Sequence, residues 1–127
     1  ALYLLLWNPL ILMQHIANLH AQGALYLVVE DDAAICDAFY EKVTALPVAN
    51  PDGPVFIQLC QTRAPFLWNT GYIVNNQGAS RLGRILSTRN THPDLQIRHA
   101  EAYGAVQVAY APEVMVWGCD RGKPMDA

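Results

Sequence analysis

Residues 25–35 read LYLVVEDDAAI: the apolar run Leu25 to Val29 drives straight into Glu30, Asp31 and Asp32. No other stretch constrains the fold as tightly. An apolar run without alternation predicts a strand buried on both faces. Three adjacent carboxylates at the end of such a strand repel one another, and each costs free energy to desolvate. A divalent cation relieves both costs, because hard cations take carboxylate oxygens. The other reading is three solvated acids in a loop that also suit the start of a following helix. The apolar lead-in favours the metal reading.

The 127 residues suffice for one domain with a core. Apolar residues make up 53% and charged residues 15%, so much of the chain must be buried. The net charge of −3 and the lack of a basic run argue against nucleic acid as a partner. Cys36, Cys60 and Cys119 are far apart and odd in number. They fit neither a disulfide framework nor a zinc cluster, which points to reduced thiols in the cytoplasm. The opening ALYLLLW is shorter than the ~20 residues that span a bilayer and lacks the basic segment of a signal peptide. No transmembrane segment is expected. The chain opens at Ala1 rather than Met, so a fragment is expected. Its upstream part would cover the apolar start and carry any membrane association.

Asn8 and Pro9 suit an N-cap and first helical position, and Gly23 suits the stop. Between them Leu12, Ile16 and Leu19 share a face, with Met13 beside them. Ile35, Phe39, Val43 and Leu46 recur at helical spacing until Pro47. NPDG at 50–53 is a turn, VFIQL at 55–59 a strand, CQTRAPFLWN a loop and TGYIV at 70–74 a strand. NNQGASRLGRIL is a capped helix with Ala79, Leu82, Ile85 and Leu86 inward. THPDLQIRHAEAYG predicts a short helix with Thr91 as cap, Pro93 early and Gly104 after its end. AVQVAY and EVMVW are two short strands around Ala111-Pro112, and the remainder is a loop. Strands alternating with helices predict a single layered α/β domain over residues 1–127. In such sheets ligands gather beyond the carboxyl ends of strands, where Glu30, Asp31 and Asp32 fall.

LVVEDDAAI resembles the opening of bacterial response-regulator receiver domains, whose first strand runs into a magnesium-binding acidic pair. A receiver also needs a phosphate-accepting Asp at the end of its third strand. Here VFIQLC ends in Gln58, Leu59 and Cys60, Asp52 lies before the strand, and the only lysine after Lys42 is Lys123. A degenerate receiver-like signalling module is therefore the second reading.

Over roughly residues 9–117 the chain looks more like glycosyltransferase family 25, the lipooligosaccharide and procollagen galactosyltransferase type. YLVVEDDA is similar to the family's strand ending in Glu-Asp-Asp, and FYEKVTALP to its next helix. PDGPVFIQL, NTGYIVNNQGASRL, HPDLQI and VAYAPEVMV resemble further family segments in the same order. The resemblance implies a Rossmann-like, GT-A type fold and a nucleotide-diphosphate sugar donor. It also implies a hexose such as galactose, Mn²⁺ or Mg²⁺, and a glycan or hydroxylated protein acceptor. The family's helix opens with Ser-His, where Asn8-Pro9 stands here. The family's upstream base-binding strand and loop are not among these residues.

With such a donor, negative charge builds on the departing diphosphate, and a cation neutralises it. Glu30 and Asp32 have D-x-D spacing, and residues two apart on an extended strand point the same way. Asp32 is then the expected metal ligand together with Glu30. Asp31 would bond the ribose or the metal. The resemblance implies that Asp94, the acid after Pro93, is the base of an inverting transfer. Its other reading is an acid that merely suits the first turn of a helix. Tyr72 lines the sugar pocket or packs in the core. Gly71 permits a close approach, Asn75 or Asn76 caps a helix, and Gly78 and Ala79 let that helix sit tightly. Trp68 reads as a packing plug, while Arg63, Arg98, His99, His15 and His20 read as solvated or satisfied side chains.

Overall fold

The computed structural model describes residues 9–19, 23–88 and 92–118. In chain order the elements are α1 (Pro9–Ala17), β1 (Tyr26–Val29), β2 (Ala33–Ile35), α2 (Phe39–Thr44), β3 (Phe56–Gln58), β4 (Gly71–Val74), α3 (Asn76–Ser87), α4 (Pro93–Ala102), β5 (Ala109–Tyr110) and β6 (Val116–Gly118). Every residue of β3 and β4 is buried. These two strands pair antiparallel, with Phe56 opposite Val74 and Gln58 opposite Tyr72. The main sheet has the order β1-β4-β3-β5. Because β4 opposes both neighbours and β3 runs parallel to β5, the strands β1, β3 and β5 all point one way. Their carboxyl ends therefore lie at one edge. The domain is mixed α/β, with a mixed rather than an all-parallel sheet.

Alternation along the strands sorts two cores. Val28, Phe56, Tyr72 and Val74 face α1, α3 and α4, among Met13, Leu82 and Ile97. Ile57 and Ile73 face the other way, towards α2 and the β2–β6 ribbon, among Leu59, Met115 and Val116. Two glycines permit the close approaches. A Cβ on Gly78 would lie 2.1 Å from the Val55 carbonyl oxygen, and one on Gly71 would lie 2.7 Å from Val116 Cγ1. Any side chain at either place would displace its neighbour.

Asn75 and Asn76 fix the helical layer. Asn75 Oδ1 accepts from the N–H of Gly78 at 2.8 Å and of Val55 at 2.9 Å, and its Nδ2 donates to the Gly53 carbonyl at 2.7 Å. One side chain thus caps α3 and ties it to the start of β3. Asn76 Nδ2 donates to the carbonyls of Ile16 and Leu19, at 2.7 and 2.8 Å. The end of α1 is therefore beside the start of α3, and the two helices run antiparallel.

Several expectations change. The strand expected to be buried on both faces is an outer strand: β1 pairs with β4 alone, and Leu25 and Leu27 are 48% and 43% exposed. An apolar run does not reveal which strand ends a sheet. The helix expected from Ile35 to Leu46 shortens to α2. Ala33–Ile35 instead pairs with β6, Cys36 N–H donates to the Met115 carbonyl, and Ala38 takes a left-handed φ of 54° that breaks helical continuity. Ile35 is left 54% exposed. Helix α1 stops at Ala17, short of Gly23. In α4 the cap is His92, whose Nδ1 accepts from the Asp94 N–H at 3.2 Å. Asn8, His20, Thr91, Cys119 and Lys123 lie outside the described residues. Among the described residues no helix is long and apolar enough to cross a membrane.

Replacing Asn75 with Ala removes a helix cap and strands a buried Val55 N–H. Urea unfolding should show a loss of about 2–4 kcal/mol. Asn75→Asp, which keeps the capping oxygen but not the Gly53 bond, should lose less.

Candidate functional site at the strand ends

Glu30 leaves β1 at its carboxyl end. Its N–H donates to the Thr70 carbonyl at 3.0 Å, and its own carbonyl accepts from Ala33 N–H at 3.1 Å. The second bond closes a turn with Asp31 and Asp32 at its centre, positions that aspartate favours. Both aspartates are exposed, while Glu30 is half-buried. This corrects the extended-strand reading, because the chain reverses at these residues and alternation no longer aligns Glu30 with Asp32. Solvent takes up the charge of the two aspartates, which leaves one partly buried acid at the strand end.

Tyr72 stands on β4 opposite Val28, on the sheet face that carries the helices. It is 3% exposed and stacks on Phe56, with ring centroids 5.1 Å apart and planes 19° apart. Phe56 meets Phe66 edge-on at 5.7 Å. Packing is therefore one role of Tyr72. Its hydroxyl also feels two acids. Burial raises its pKa most, and the Asp94 and Glu30 carboxylates and Cys60 raise it further. Neutral phenol is the resting form. The residues expected as donor ligand, pocket wall and base, Glu30, Tyr72 and Asp94, thus share one electrostatic neighbourhood.

Asp94 enters from α4. Its side chain is 16% exposed and its Oδ1 is buried. Its Oδ2 lies 3.7 Å from His92 Nδ1, the nitrogen that accepts from the Asp94 N–H at the helix cap. Helix α4 is anchored further along by Glu101, which accepts from Phe66 N–H at 2.9 Å and from Tyr110 Oη at 2.5 Å. This holds the loop between β3 and β4 against the helix.

Two buried polar groups that sequence reasoning passed over lie beside Tyr72. Gln58 is fully buried. Its Nε2 donates to the Trp68 carbonyl at 2.5 Å and its Oε1 accepts from Cys60 N–H at 2.9 Å. The signal was a lone amide inside the apolar run VFIQL. Cys60 Sγ accepts from Gly71 N–H at 2.9 Å. Burial pushes its thiol up to about 12, with Glu30 adding to the rise and hydrogen bonds from Gly71 and Thr70 opposing it. Cys36 and Cys60 are both free thiols.

Other candidates fall where their plainer readings put them. Trp68 packs partly buried against the second core. Arg63, Arg98, His99 and His15 are exposed. Among the described residues no group of three His, Cys, Asp or Glu side chains is arranged to hold a metal by itself. A cavity of about 360 Å³ lies at the opposite end of β1, against Leu25, Val48, Asp52 and Asn75.

Cys60 carries a pH signature. Its pKa rises from 9.0 to about 12 on folding, so the folded chain holds the proton where the unfolded chain has lost it. The contribution is complete below pH 9.0 and disappears as pH rises through about 12. Urea-unfolding free energy should therefore fall across this window, and Cys60→Ala should fall less steeply. Equal slopes would mean that the thiol is not buried as described.

Compared with known proteins, the chain matches no family model, no curated protein and no solved structure.

Proposed function

We propose that this chain carries the donor side of a metal-assisted nucleotide-sugar transferase of GT-A type. It would move a hexose such as galactose from a nucleotide diphosphate to a glycan or a hydroxylated protein. One observation carries the reading. Glu30 ends β1 beside the Asp31–Asp32 turn, Tyr72 stands on β4 opposite Val28 and Gln58, and the Tyr72 hydroxyl feels both the Asp94 and the Glu30 carboxylates near the carboxyl ends of β1 and β3. Ligands of layered α/β sheets collect at such ends. The receiver-like alternative requires a parallel doubly wound sheet, whereas β4 runs antiparallel between β1 and β3.

The donor set suits a hard divalent ion in one particular form. Mg²⁺ takes one or two carboxylates and completes its shell with substrate phosphates and water, so a protein cage of three ligands is unnecessary. Asp32 would hold the ion, with Glu30 meeting it across the turn rather than along a strand, and Asp31 would reach the ribose or the same ion. When bound, the cation neutralises charge on the departing diphosphate. Tyr72, stacked on Phe56, would form the packed wall behind the sugar. In an inverting transfer Asp94 takes the proton of the acceptor hydroxyl as that oxygen bonds to the sugar carbon.

Calorimetric titration of the chain with Mn²⁺ and uridine diphosphate, singly and together, tests this. The diphosphate should bind only with the metal, and Asp32→Ala should weaken it by about tenfold or more. Asp94→Asn should leave that binding intact. Metal binding without any diphosphate binding, or binding indifferent to Asp32→Ala, would contradict the reading.

A further inference from the structure

A second feature lies away from the strand ends, in the groove between α3 and α4. Its cavity of about 290 Å³ is walled by Ile85, Ala100, Ala105 and the ring of Tyr103, and edged by Arg84 and His99. That volume sits at the small end of the range for ligand sites, about 300 Å³ and upward. Among the described residues no acidic side chain lines it. Helix α3 carries Arg81 and Arg84 and no acid, in a chain whose net charge is −3. Tyr103 is 82% exposed, a large ring left in water against an apolar wall. The Thr88 hydroxyl at the groove's end is already engaged with the Ile85 carbonyl at 2.7 Å. The groove therefore offers an apolar wall, an aromatic flank and a cationic rim.

We propose that this groove binds a small amphipathic anion, an aliphatic carboxylate of medium chain length. The alkyl chain lies along Ile85 and Ala100 under the Tyr103 ring. The carboxylate meets the Arg84 guanidinium, whose planar fork matches its two oxygens. Apolar burial supplies the attraction, and the absence of acids from the wall selects the sign of the head group. Asp94 does not line the groove, whose near end is Gln96 and whose far end, Tyr103, is about 14 Å from Asp94 along the helical rise. The inference is independent of the transferase reading.

The test is a backbone-amide NMR titration of the full chain with decanoate, decanol and acetate. Decanoate should bind, with shifts concentrated at residues 84–88 and 96–105. Decanol, which lacks the charge, and acetate, which lacks the chain, should each bind at least about tenfold more weakly. Arg84→Glu should cost decanoate about tenfold in affinity. Ala105→Trp, a change at an exposed position, should block the groove while leaving the melting curve in place. Arg81→Glu, outside the groove, should leave binding unchanged. Three results would overturn the inference: no decanoate binding, equal weakening by Arg81→Glu and Arg84→Glu, or shifts centred on Leu25 and Leu27.

Discussion

The sheet depends on a short corner, Thr70–Gly71, where three chain segments are bolted together. The Thr70 carbonyl accepts from Glu30 N–H, and the Gly71 carbonyl accepts from Leu59 N–H. Gly71 N–H donates to Cys60 Sγ. These bonds join the carboxyl ends of β1 and β3 across the start of the antiparallel strand between them. The corner is buried, so an unmade bond there would cost about 1–3 kcal/mol. Gly71 allows it to close, since any Cβ would collide with Val116. The acid that ends β1 is thereby held at a fixed height, where it acts on Tyr72 and Cys60.

A second set of contacts brings the helices to that corner. Asn75 and Asn76 together cap α3, tie it to β3 and close the end of α1. Helix α4 then packs on the same face through Ile97 and Ala100. Glu101, bonded to Phe66 and Tyr110, sets its position relative to the loop after β3. As a result the carboxylates of Asp94, in the first turn of α4, and of Glu30, at the end of β1, both act on the Tyr72 hydroxyl, Asp94 the more strongly. The packing that stabilises the domain also gathers the acids, and Tyr72 belongs to both arrangements.

Local chemistry was legible in the sequence. The NPDG turn, the strands within VFIQL and TGYIV and the Asn cap of α3 follow from short-range rules, as does the inward set Ala79, Leu82, Ile85 and Leu86, of which Ile85 is only partly buried. The failures were non-local. The recurrence of Ile35, Phe39 and Val43 mimics a helix, but Ile35 pairs with Val116 and Ala38 breaks the run. Leu25 to Val29 gave no sign of lying at the sheet edge. Glu30 and Asp32 were aligned by an alternation that ends at the turn. The meeting of Glu30, Tyr72 and Asp94 depends on strand order and helix placement, which no single segment encodes. Gln58, a lone amide in an apolar run, is the local mark of a buried polar group that needs partners.

The central claim is that these three residues occupy one electrostatic neighbourhood. The most direct measurement is the alkaline titration of Tyr72 by NMR on ring-labelled tyrosine, in the native chain and in Asp94→Asn and Glu30→Gln. The account expects Tyr72 to hold its proton well beyond the ordinary tyrosine range. Each substitution should lower the Tyr72 midpoint, Asp94→Asn more than Glu30→Gln, with the fold intact. A Tyr72 midpoint that ignores both substitutions would mean that the acids do not face it, and the proposed donor site would be lost.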